Sequence, residues 1–151
     1  MDELRIHQLT KEMVAEELRI LGEPCAAAAA VVQKTLTAAL QAPPPGTPPE
    51  RIVEDTVKGA MTALLLAEQS LPHGSLLVLE VVIDVAAKAH LDPTESMRAA
   101  LRALADLRRF VDPNRIEDIR LAIDAKYMGA GEVFVEYLRA PVDSKPVPAP
   151  R

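Results

Sequence analysis

Apolar and polar positions alternate with a helical period over most of this chain. The densest apolar run is Ser75 to Leu91, SLLVLEVVIDVAAKAHL, where Glu80, Asp84 and Lys88 are the only strongly charged side chains. Spaced i, i+4, i+8, these three fall on one narrow stripe of a helix. The rest of the circumference is Leu, Val, Ile and Ala. A helix apolar over most of its surface is a core helix enclosed by others. The run is short for a bilayer, and its charges interrupt it. The pattern therefore predicts an all-α domain, six or seven helices around a buried central helix over about residues 75–90.

The remaining elements follow in order. Residues 2–21 read as a first helix, with a break allowed near Thr10. Its stripe is Ile6, Leu9, Met13, Val14, Leu18 and Leu21, and Gly22 stops it. Pro24 suits the first turn of a second helix, Cys25 to Gln41, whose Ala26 to Ala30 run permits close approach to a neighbour. The prolines of APPPGTPPE, Ala42 to Glu50, cannot continue a helix. They make residues 42–49 a spacer, read as a plain surface connection between an N-terminal hairpin (2–41) and a helical body (50–139). Thr47, Pro48 and Glu50 form the capping set of a third helix that runs to about Gln69. Val53, Val57, Ala60, Met61 and Leu64 line its buried face, and its second half, Ala63 to Ala67, reads as apolar all round.

Ser70 to Gly74, SLPHG, reads as a tight connection into the central helix. Asp92-Pro93 and Asp112-Pro113 open two more helices. The first turns Met97, Ala100, Leu101, Leu104 and Val111 inward, the second Ile116, Ile119, Ile123 and Tyr127. Beyond Gly129-Ala130-Gly131, the segment EVFVEYL (Glu132 to Leu138) has strand-favouring residues and also a helical face through Phe134, Tyr137 and Leu138. A lone strand would lack a partner in this chain, so the helix is the expectation. One helical domain, 1–139, is thus followed by a proline-rich tail, 140–151.

Composition narrows the function classes. The chain has 151 residues, 49% of them hydrophobic, but much of that is Ala, with no Trp and four aromatics. Small side chains bury little area each, so stability must come from close helix contact or from self-association. A net charge of −5 gives no general attraction to nucleic acid or anionic lipid. The single cysteine permits no internal disulfide, and the charged start MDELRIHQLTKEM lacks an apolar signal core, so a cytoplasmic protein is expected.

Candidate chemistry is sparse. Glu80 and Asp84, one turn apart, could ligate a metal with His73 as a third ligand, as inward acids do in di-iron bundles. No histidine follows a glutamate by three residues, however, and Asp84 is placed to pair with Lys88. Cys25, in a helix first turn, could be a reactive thiolate, but without a CxxC it reads as a small buried apolar residue. Arg98, Arg102, Arg108, Arg109, Arg115 and Arg120 could meet phosphates, yet Glu95, Asp106, Asp112, Glu117 and Asp118 are interleaved, the mark of a salt-bridged face. GAGE lacks the GK[ST] ending of a phosphate loop, and neither G-x-S-x-G nor H-E-x-x-H occurs. Nothing calls for a cofactor.

Tyr127, Phe134 and Tyr137 cluster near the C-terminal end, where aromatics can anchor an interface. The expectation is a non-catalytic helical protein that self-associates, as a homodimer, and docks a partner, with these three aromatics as interaction residues. The alternative is a metal- or small-molecule-binding bundle using Glu80, Asp84 and His73. A nucleic-acid binder using the arginine-rich region 98–120 ranks below both.

Overall fold

A computed structural model describes residues 6–14 and 23–140. The fold is all-α, with no strand among the described residues. The helices are α1 (6–14), α2 (Pro24–Gln41), α3 (Pro49–Leu66), α4 (Leu71–Lys88), α5 (Pro93–Ala105), α6 (Pro113–Lys126) and α7 (Ala130–Arg139). A 3-10 turn, Asp106–Arg109, extends α5. The expected outer parts of the first helix, 2–5 and 15–21, and the tail 141–151 lie outside the described residues.

Five of these helices start alike, with proline in the first turn, where its missing N–H costs nothing. In four of them a side chain takes up an orphan N–H. Glu23 accepts from Ala26 N at 2.7 Å, Ser70 from His73 N at 3.2 Å, Asp92 from Thr94 N at 2.8 Å, and Asp112 from Arg115 N at 3.0 Å. Each such cap stabilises its helix by about 1 kcal/mol. The exception is α3, where Pro48 is the capping position and no side chain caps. Thr47 does not have the role its sequence suggests.

The central helix begins four residues earlier than its apolar run. Ser70 caps it, and Pro72, His73 and Gly74 are its first turn, not a connection. Gly74, inside this helix, sits close under α3: a Cβ there would lie 2.5 Å from Leu64 Cδ1. The helix packs against α2, α3, α5 and α6, with Leu71, Val78, Leu79, Val82 and Val85 buried among them. Its charged stripe, Glu80, Asp84 and Lys88, faces solvent.

Two expected stripes need correction. In α3, Val53, Val57, Ala60, Met61 and Leu64 are buried as the period requires, but Leu66 is 68% exposed. Two positions past Leu64 is more than half a turn round the helix, which aims Leu66 into solvent. The helix α1 runs unbroken through Thr10 and presents Thr10 and Val14 to the core, leaving Leu9 exposed. The reason is a close crossing over α3. A Cβ on Gly59 would lie 2.6 Å from the His7 carbonyl oxygen and 2.8 Å from Thr10 Cβ.

Residues 42–48 join two helices that pack directly on each other, α2 and α3. Gly129 has φ +90, the left-handed conformation that turns the chain out of α6. The segment 132–138 that follows is helical throughout.

Candidate functional site

The three C-terminal aromatics do not share a surface. Phe134 points into the core and is wholly enclosed by this chain's own side chains. Tyr137, one turn on, is half-buried, with the Arg102 guanidinium 5.6 Å from its ring centroid. Arg102 Nε also reaches Glu54 Oε1 at 3.4 Å, so one cation ties α3, α5 and α7 together. Tyr127, at the end of α6, is half-buried with Lys126 Nζ 5.8 Å from its ring, and burial pushes its phenol pKa up. A direct contact through Phe134 would require α7 to lift off, so Phe134 anchors α7 from beneath and is not available as a contact residue.

Beside this cluster lies a groove of about 320 Å³ between α4, α5 and α7. Its apolar lining is Ile83, Met97, Leu101, Ala130 and Val133. Met128, the residue before Gly129 of this lining, is 97% exposed. Arg98 on the α5 wall and Glu132 and Glu136 on α7 are exposed, and none of the three makes an ion pair among the described residues. An apolar trough with the Arg98 cation on its wall thus lies between helices whose neighbouring residues Met128, Glu132 and Glu136 are exposed.

The arginine region is largely engaged elsewhere. Besides Arg102, Arg108 donates to the Ala105 and Ala140 carbonyls, both at 3.0 Å. Arg109 pairs with Asp106 at 2.9 Å, and Arg120 pairs with Glu117. This is the interleaved, salt-bridged pattern the sequence suggested, and it leaves few guanidinium groups for phosphate.

Glu80, Asp84 and His73 do not come together. Lys126 pairs with Glu80 at 3.5 Å and Lys88 with Asp84 at 3.2 Å. His73 lies two turns back on the same helix, about 10 Å away along its axis. It meets two other residues instead. Among the described residues, Glu23, Cys25 and His73 converge with one ligand atom each, all within 4.8 Å of one another. Sequence reasoning missed this trio because it took Ser70 to Gly74 as a loop. The signal was present, since Glu23-Pro24 and Ser70-Leu71-Pro72 are both helix starts, and two packed helices can bring their first turns together.

Cys25 is 2% exposed, and its Sγ lies 3.5 Å from the Ser70 carbonyl oxygen, to which the thiol donates. Burial first, and then the Glu23 carboxylate, raise its pKa. The thiol form is therefore favoured at neutral pH, against the reading as a ready nucleophile.

Comparison with known protein families, with curated proteins and with solved structures finds no match to this chain. No helix among the described residues is long and apolar enough to cross a membrane.

Proposed function

We propose that this chain is a non-catalytic interaction domain that pairs with a second copy of itself through the α4–α5–α7 groove. The observation that supports the reading most directly is Met128, 97% exposed and adjacent in sequence to Gly129, which lines an apolar trough of about 320 Å³. A knob and a hole on one face are what a two-fold interface requires, because each copy then fills the other. Methionine suits this role, since its unbranched thioether adapts to an irregular pocket. Charge supports the same geometry: Arg98 of one copy can face Glu132 or Glu136 of the other. Tyr137 and Tyr127 border the contact, and the paired surface is the platform for a further protein partner. A cytoplasmic setting belongs to this reading, supported by a lone, buried cysteine.

Light scattering at high micromolar concentration tests the proposal. The wild type should run as a dimer. Met128→Asp should weaken it at least about tenfold, since burying such a side chain contributes about 1.5–3 kcal/mol. At so exposed a position the substitution leaves the fold intact. Arg98→Glu should weaken pairing, and Arg98→Glu with Glu136→Arg should restore it. A wild type that stays monomeric, or a Met128→Asp protein that pairs as well as the wild type, overturns the reading.

A further inference from the structure

The geometry points to a divalent-metal site at Glu23, Cys25 and His73, with zinc the ion its donors suit best. These residues play no part in the pairing face. His73 and Ile83 are ten residues apart on α4, about 15 Å along its axis, so the two proposals stand or fall separately.

The site is built from two helix starts. Glu23 caps α2, and Oε1 accepts from Ala26 N at 2.7 Å, which fixes the carboxylate and leaves Oε2 for an ion. Cys25 follows two residues later and faces α4. His73 lies in the first turn of α4, its backbone N–H held by Ser70 Oγ at 3.2 Å. Gly74 lies at this junction, where a Cβ would sit 3.5 Å from the Cys25 sulfur, in ordinary contact, and 2.5 Å from Leu64 Cδ1. The backbone of both donors' helices is thus set before any ion arrives.

Sulfur, imidazole nitrogen and carboxylate oxygen together are a borderline-soft set. They suit zinc, and they leave a fourth tetrahedral position to water. Hard cations such as magnesium and calcium would find only the Glu23 carboxylate among the protein ligands here, where they need several oxygens. Bond lengths of about 2.0–2.3 Å place donors roughly 3.5 Å apart, closer than the 4.8 Å span of this trio. Closing that gap falls chiefly to His73, whose side chain is exposed and can turn, while Cys25 is buried and the Glu23 carboxylate is held by its cap bond. Helix N-termini oppose a bare cation. A thiolate and a carboxylate bring two negative charges, so the zinc-loaded site is neutral and that opposition largely cancels. On binding, zinc takes the place of the thiol proton, which leaves to solvent.

The test uses the full chain, free of any histidine tag, titrated with zinc alone by calorimetry and with cobalt by absorption. One ion should bind per chain, and cobalt should show a thiolate charge-transfer band in the near ultraviolet. His73→Gln and Glu23→Gln, at exposed positions, should each weaken zinc at least about tenfold with an unchanged helical spectrum. Cys25→Ser should abolish the cobalt band. A wild type that binds no zinc overturns the proposal. So does unchanged affinity in His73→Gln, or a cobalt spectrum without the thiolate band. If Cys25→Ser fails to fold, the two exposed variants and the wild-type cobalt spectrum decide.

Discussion

Replacing Phe134 by alanine separates the two roles a C-terminal aromatic can have. Phe134 is the largest side chain that this chain encloses completely. It holds α7, a helix of ten residues, against α5 and α6. Truncating a buried phenylalanine costs about 3–5 kcal/mol, the lost transfer energy plus the cavity left behind. In a domain of this size each kcal/mol lowers the melting temperature by roughly 2–4 °C, so the drop should be about 6–20 °C. Tyr137→Ala should cost less, because its ring is only partly buried and its contact with Arg102 contributes only about 0.5–1 kcal/mol. Thermal melts followed by circular dichroism at two protein concentrations, tenfold apart, give the measurement. A core role predicts the same loss at both concentrations. If Phe134→Ala melts within about 2 °C of the wild type, or loses stability only when dilute, Phe134 is not the core anchor described above.

Two other perturbations probe the α1–α3 contact. Gly59→Ala puts a methyl group against the His7 carbonyl, and backbone cannot move aside without shifting α1; overpacking of this kind costs about 1–3 kcal/mol. Hydrogen exchange at residues 6–14 should quicken while α5 to α7 stay protected, and an unchanged exchange pattern would refute the close crossing. His7 itself is half-buried, 3.4 Å from Thr62 Oγ1, and its pKa is lowered below 6.5, by burial first and then by Lys11 and Lys58. The unfolded chain therefore binds the His7 proton more readily than the folded one, and stability should fall as pH drops below 6.5. Urea midpoints above and below that pH should differ less in His7→Gln than in the wild type, and equal differences would show that His7 carries none of the effect.

The helices were legible in the sequence, and so was the central one, because burial on nearly all sides leaves an unmistakable run of Leu, Val and Ile. The Asp92-Pro93 and Asp112-Pro113 starts were equally plain, since cap and proline are local chemistry. What escaped was set by a neighbour. Gly74 fits beside Leu64 of α3 because it has no side chain there, a closeness that no local pattern announces. Leu9 loses its place in the core because Gly59, fifty residues on, lets Thr10 in. Phe134 and Tyr137 fit one helical face in the sequence, yet the first is core and the second only partly buried. The meeting of Cys25 with His73 depends on how α2 and α4 pack, which periodicity does not encode.

The aromatic side chains have a consequence for how the molecule reports on itself. Phe110, Tyr127, Phe134 and Tyr137 are all of them, and all lie at or beyond the end of α5. Tyrosine emission and near-ultraviolet ellipticity therefore report first on the part of the bundle that includes α6 and α7, and reach α3 through the Tyr137–Arg102–Glu54 contact and α1 through Phe110, which shares a pocket with His7. Loosening of α2 alone would be optically dark, though the backbone signal of every helix would register it. Agreement between the two signals through a denaturation would mean that the silent α2 and the visible C-terminal part come apart as one cooperative unit.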